Sequence, residues 1–163
     1  MAALVGVTAV VYIGSEFLPT IGGGPSNEIV GRASVIDGDT LEIQGTRIRF
    51  HGIDAPESSQ SCSVNDQMFR CGQQAALALS DKIGNRTVAC EPRDKDQYGR
   101  IVAVCRAGGE DLNKWMVAQG WALAYRKYST AYVEQESNAS AAKLGIWQGE
   151  FVDPWEWRRG KRL

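Results

Sequence analysis

Five acids and two arginines crowd one short stretch, VIDGDTLEIQGTRIRFHGIDAPE, from Val35 to Glu57. Four of the acids, Asp37, Asp39, Asp54 and Glu57, could face one point; the arginines are Arg47 and Arg49. The segment otherwise alternates like β-strand. Two readings compete: tight turns carrying solvated acids, or a metal site that handles a phosphate. Asp39 and Asp54 fall at the ends of strands expected to neighbour each other, where two carboxylates can share one ion. Carboxylates, carbonyls and water are the only ligands on offer, and oxygen-only sites select hard cations such as Ca²⁺ or Mg²⁺. The backbone carbonyl of Ala55 can add a ligand, because Pro56 restricts the chain before it to an extended turn.

The arginines sharpen the second reading. Arg49 precedes Asp54 on the same strand, and Arg100 closes DKDQYGR at a later hairpin. Together they would clamp a phosphodiester, since a planar guanidinium binds phosphate oxygens in pairs. Their charge matters most as phosphorus becomes five-coordinate and gathers negative charge. Glu57 is the natural general base, close to the acids and able to take a proton from an attacking water. His51 is the single histidine, so chemistry needing a histidine pair is excluded. A Ser or Cys nucleophile lacks its base for the same reason.

These residues need a scaffold that brings strand ends together. EIVGRASVI runs to the Asp37-Gly38 turn, TLEI to Gln44-Gly45, and TRIRFHGI alternates Ile48, Phe50 and Gly52 with Arg47, Arg49 and His51. RTVACEP and RIVAVCRA make two more strands around RDKDQYG. Five short antiparallel strands suit a small barrel. Three helices are expected: CGQQAALALSDKIGN, stopping at Gly84; DLNKWMVAQG, capped by an Asp and closed by Gly120; and YVEQESNASAAKLG, closed by Gly145. The class is therefore α+β.

The chain has 163 residues, one domain's worth, and a net charge of −1. A nearly neutral body does not coat nucleic acid by bulk charge; any phosphate contact must come from a few placed arginines. Residues 1–27 differ from the rest: a run of apolar and small residues from Ala2 to Ile13, then Gly-Gly-Gly-Pro-Ser. This suits a signal peptide or short membrane anchor followed by a linker, although the usual positive start is missing. Residues 28–150 make the barrel domain, and 151–163 end in the basic RRGKRL tail. The four cysteines include no Cys-x-x-Cys pair, so zinc has poor material. Three pairings are open to them. Cys90 and Cys105 lie symmetrically about Gln97 and Tyr98, so a hairpin turning there sets them opposite each other, and Cys62–Cys71 would close a polar loop. Free buried thiols are the alternative. Oxidation would agree with an exported protein, whether periplasmic, secreted or membrane-anchored.

VIDGDT, RIRFHGIDAPE, DKDQYGRIVA, LNKWMVAQGWA and AAKLGIW, in this order, resemble the thermonuclease family of staphylococcal-nuclease-like domains, from about Gly31 to Trp147. The resemblance implies an OB-type five-stranded barrel with three helices. It implies calcium-dependent cleavage of DNA and RNA by water, giving 3′-phosphate ends. The family's calcium carboxylates fall on Asp39 and Asp54, its carbonyl ligand on Ala55, its glutamate on Glu57 and its phosphate arginines on Arg49 and Arg100. Tyr98 matches a tyrosine near the 5′-phosphate, and Tyr125 and Tyr128 resemble those lining the nucleotide pocket. A monomer acting on nucleic acid with little sequence preference is expected. Two departures stand out, the cysteine-bearing insert from Ser58 to Gly72 and a short final helix. The rival reading is a barrel that binds nucleic acid or protein without cutting, and a third is a calcium-binding structural module. Such binding barrels usually lose the acids or arginines that this chain keeps.

Overall fold

The structure is a computed structural model and describes residues 27–163. The signal or anchor reading of residues 1–27 falls on a segment outside the described residues, apart from Asn27. In chain order the elements are β1 (Ile29–Gly31), β2 (Ala33–Asp37), β3 (Thr40–Ile43), β4 (Thr46–Phe50), β5 (Ile53–Asp54), β6 (Cys62–Val64) and β7 (Gln67–Phe69). Then come α1 (Cys71–Ile83), β8 (Val88–Lys95), β9 (Ile101–Ala107), β10 (Glu110–Asp111), α2 (Leu112–Ala118) and β11 (Leu123–Ala124). The chain closes with α3 (Val133–Ala141), a 3₁₀ turn at Gly145–Gln148, and α4 (Pro154–Arg158). The five strands and three helices expected from sequence are all here, and the class is α+β.

The main sheet runs β1-β8-β9-β4-β3-β2, with β10 added beside β9. Its two end strands are consecutive in the chain and separated by Arg32 alone. The sheet must therefore roll until its ends meet, and the chain itself rather than a hydrogen-bonded ladder joins the seam. The β3–β4 turn places Gln44 and Gly45 at φ 50° and 80°, the paired positive dihedrals of a tight hairpin.

One expectation fails: the strands are not all antiparallel. β4 pairs with β9 in parallel, with Ile48 opposite Ile101, Arg49 opposite Val102 and Phe50 opposite Ala103. The long stretch between them, carrying the insert, α1 and β8, supplies the crossover that parallel strands require. The pairing has a functional consequence, because Arg49 comes to lie beside the strand that starts just after Arg100.

Alternation sends Leu41, Ile43, Ile48 and Phe50 into the core, against Ala75 and Leu79 of α1 and Leu112, Met116 and Val117 of α2. The same alternation turns Arg47 and Arg49 outward. Cys90 and Cys105 are direct ladder partners and form a disulfide inside this core. Asn113 of α2 is fully buried and satisfied: its side chain accepts from Cys105 N at 3.1 Å and donates to His51 O at 2.9 Å and Ala103 O at 3.1 Å. One amide thus pins the helix to both parallel strands.

A second, smaller core surrounds the Cys62–Cys71 disulfide, with Leu123 and Ile146 buried beside it. Phe69, Trp121, Trp147, Phe151 and Trp155 pack against it. The insert from Ser58 to Gly72 is therefore not a loose loop. It folds as the β6–β7 hairpin, turning through Asn65 and Asp66 at φ 51° and 62°. The C-terminal segment lies on this hairpin, joined through a bridge between Ser63 and Glu150.

Candidate active site

The Asp-Gly-Asp turn between β2 and β3 is built for close approach. A Cβ on Gly38 would sit 2.7 Å from the Ala55 side chain and 2.9 Å from that of Ala75. Only glycine lets the turn press against Ala55 and α1 at that distance. Asp37 Oδ1 accepts from Asp39 N at 3.0 Å and fixes the turn. The Asp39 carboxylate is held in place by Thr40 Oγ1 at 3.0 Å and by the Ala55 N–H at 3.0 Å.

Arg49 stands opposite Thr40 in the β3–β4 ladder. From there its guanidinium spans both acids. Nη2 lies 3.1 Å from Asp39 Oδ2 and 2.7 Å from Asp54 Oδ1, while Nη1 donates to Asp39 Oδ1 at 3.1 Å. Two carboxylates, one in the β2–β3 turn and one on β5, a strand separate from that of Arg49 rather than its continuation, thus converge on one positive group. Both are buried, Asp39 at 3 % exposure and Asp54 at 0 %. Burial pushes both upward, Asp39 to about 6, against the opposing pull of Arg49 on Asp39 and, on Asp54, of Arg158 first and Arg49 after it. Burial opposes the charge on Arg49 too, but the two acids outweigh it and raise the guanidinium above its ordinary value.

Glu57 follows Pro56 at the mouth of this cluster. Its backbone is fixed by α1, since a Cβ on Gly72 would sit 1.7 Å from the Glu57 carbonyl oxygen. Gln60 is wholly buried and accepts from the Glu57 N–H at 3.2 Å.

Arg100 is organised separately. The Asp96 carboxylate gathers the N–H groups of Tyr98 and Arg100, each at 2.9 Å, and Arg100 Nε at 2.7 Å. Burial is the largest single influence and opposes the charge, but those hydrogen bonds together outweigh it and hold Asp96 below the usual carboxylate range. The Arg100 guanidinium also lies 5.6 Å from the Tyr98 ring.

A cavity of about 930 Å³ brings these regions together. Arg49, Glu57, Arg100, Tyr98, Tyr125 and Tyr128 all line it. Asp39, Asp54 and Ala55 are buried and do not line it; the two acids meet it through Arg49, which does. Tyr98 and Tyr128 are exposed, and Tyr125 and Tyr128 meet edge to face with ring centroids 5.1 Å apart.

Sequence reasoning missed one residue. Arg158, in the segment read as a basic tail, reaches the acid cluster from α4. Its Nη2 donates to Asp54 Oδ2 at 2.7 Å, and its Nη1 to Asp54 Oδ1 at 3.0 Å and Glu57 Oε1 at 2.7 Å. Its hydrogen bonds to Asp54 raise the guanidinium above its ordinary value. Pro154 opening a short helix was the one local signal that this segment is ordered.

Residues 47–149 match the family described as Staphylococcal nuclease homologue. The chain belongs to the staphylococcal nuclease family. It is 37 % identical over 140 residues to the succinoglycan biosynthesis protein ExoI of Rhizobium meliloti, covering 83 % of this chain and 73 % of that protein. It is 33 % identical over 137 residues to an uncharacterized endonuclease of Haemophilus influenzae, with 79 % and 72 % covered. It is 32 % identical over 146 residues to a micrococcal nuclease of Shigella flexneri, with 78 % and 79 % covered. Membership in the staphylococcal nuclease family supports nuclease activity in general. The OB-type reading of the rolled sheet agrees with that family.

Proposed function

We propose that the protein is a calcium-dependent nuclease that cleaves DNA and RNA with little sequence preference, leaving 3′-phosphate ends. The observation that carries this reading is the meeting of Asp39 and Asp54 on the Arg49 guanidinium, below a cavity shared with Glu57 and Arg100. The endonuclease and micrococcal nuclease names of two relatives point the same way.

The donor set fits a hard cation. Asp39 and Asp54 offer two buried carboxylates whose charge burial alone disfavours, and a positive group already touches both at once. Among the described residues no cluster of three or more His, Cys, Asp or Glu side chains is gathered as a cage. The set is therefore two carboxylates with the Ala55 carbonyl and water, which suits a calcium ion that keeps part of its hydration. When bound, the cation neutralises the phosphodiester and polarises it toward attack.

The chain's own residues do the rest. Glu57 accepts the proton of a water as its oxygen bonds to phosphorus. The bond from phosphorus to the 5′-oxygen breaks, the leaving oxygen is protonated from solvent, and phosphate stays on the 3′ side. Arg49 and Arg100 hydrogen-bond the oxygens on which negative charge builds, and bind the transition state better than the substrate. Tyr98, Tyr125 and Tyr128 offer rings and hydroxyls to the sugar and base.

The two disulfides suit an oxidising compartment. No helix among the described residues is long and apolar enough to cross a membrane. We place the domain outside the cytoplasm, acting as a monomer, with residues 1–27 as signal or anchor. Because β1 begins at Ile29, a chain starting at Asn27 should fold and cleave at the full-length rate. Loss of folding on that truncation would refute this division.

The central test is digestion of plasmid DNA and of RNA with Ca²⁺, Mg²⁺ or chelator, followed by analysis of the ends. The reading predicts calcium-dependent cleavage of both and 3′-phosphate termini. Binding without cleavage would favour a non-catalytic barrel instead.

A further inference from the structure

Arg158 covers the acids on which the proposed chemistry depends. It pairs with both oxygens of Asp54, and Arg49 adds a third donor at Oδ1. A cation approaching Asp54 meets guanidinium N–H groups first, and like charges at such range repel strongly where water is scarce. The same Arg158 nitrogen that reaches Asp54 Oδ1 also holds Glu57 Oε1.

This position is built by the fold. A helix as short as α4 cannot persist alone, so its place is set by its contacts. Trp155 stacks on Tyr125 with ring centroids 5.6 Å apart and planes 6° from parallel. Buried Gln60 donates through Nε2 to Val152 O while its Oε1 takes the Glu57 N–H. A single amide therefore ties the approach to α4 to the backbone of Glu57. Phe151 and Trp155 rest on the core around the Cys62–Cys71 disulfide. The insert that departs from the family pattern is thus the platform that delivers Arg158.

We propose that Arg158 is a resident counter-ion of the acid cluster, which a divalent cation must displace from Asp54, so that α4 sets the calcium concentration at which the site fills. This rests on the calcium reading above, but it concerns affinity rather than rate. Displacement also frees Glu57 Oε1, so filling the site and releasing the base become one event.

Calorimetric titration of the full chain with calcium, without nucleic acid, tests the proposal. Arg158→Gln keeps an amide donor and removes the charge. Arg159→Gln removes the same charge one residue away, where its partner is Glu156 at 2.7 Å. Losing a paired, charge-assisted contact should lower the calcium dissociation constant about tenfold in Arg158→Gln. Losing an exposed pair should change it less than about twofold in Arg159→Gln. Trp155→Ala leaves Arg158 intact but removes its stack, and should tighten calcium binding by a smaller factor. If Arg158→Gln does not fold, Trp155→Ala decides alone. Equal affinities throughout overturn the proposal. So does weaker calcium binding in Arg158→Gln, which would make Arg158 a brace for the acids. Absence of calcium binding by every form overturns the calcium reading itself, and this inference with it.

Discussion

Arg49 and Arg100 present the same charge to the same cavity from two differently built regions. Arg49 rises from near the end of β4 and is locked between two buried carboxylates, with 17 % of its side chain exposed. Arg100 belongs to the β8–β9 turn and is held by one carboxylate, Asp96, with the Tyr98 ring beside it, the ion pair at 26 % and 17 % exposure. The floor of the cavity is thus welded into the barrel, while its rim is a turn wound around one carboxylate. Function at the floor is therefore coupled to stability, and function at the rim is not.

The comparison breaks first on truncation. Arg49→Ala leaves buried Asp39 without its ion pair and takes one of two guanidinium partners from Asp54, and should cost about 3–5 kcal/mol of stability. Arg100→Ala frees a partly solvated acid and should cost only about 0–1 kcal/mol. Urea unfolding of both variants checks this, and equal losses would erase the distinction. Glu57 stands between the two regions and supports neither. Glu57→Gln should keep nucleic-acid binding and slow cleavage about 10²-fold or more, as read by binding and single-turnover assays side by side.

Acidity separates floor from rim with opposite signs. Asp39 is raised from 3.8 to about 6, so the folded state holds its proton more tightly than the unfolded chain does. Its contribution favours folding as pH falls through 6 toward 4, by about 1–2 kcal/mol. Asp96 is lowered, so its contribution is present above the unfolded carboxylate value and is lost as pH falls through its folded one. Urea unfolding in chelator at pH 7 and pH 5 should show the first effect, and Asp39→Asn should reduce it, leaving the share of Asp54, which burial also raises. A parent protein that loses stability from pH 7 to pH 5 would contradict the assignment.

Much of the floor could be read from sequence because its signals are local. The Asp-Gly turn announces a hairpin, and alternation in RIRFHGI puts Arg49 outside and Phe50 inside. Cys90 and Cys105 were placed by symmetry about their turn, and that survives a register shift between Pro92 and Asp94. The rest depends on contacts that no short window carries. The parallel β4–β9 pair joins segments far apart in the chain. The β6 and β7 strands, CSV and QMF, have three residues each, too few for an alternation to mark them. Arg158 meets Asp54 from 104 positions away, in a helix too short for any period to show. Its basic neighbours exposed to solvent, Arg159 and Arg162, give the segment the composition of a tail.

The measurement closest to the central claim is the single-turnover rate of DNA cleavage at saturating calcium by Arg49→Lys and Arg100→Lys. Each keeps the charge and loses the paired hydrogen bonds. Each should fall about 10²-fold or more below the parent, the scale of a lost donor to developing negative charge. Parent rates in both variants would mean that no arginine clamp acts on the phosphate.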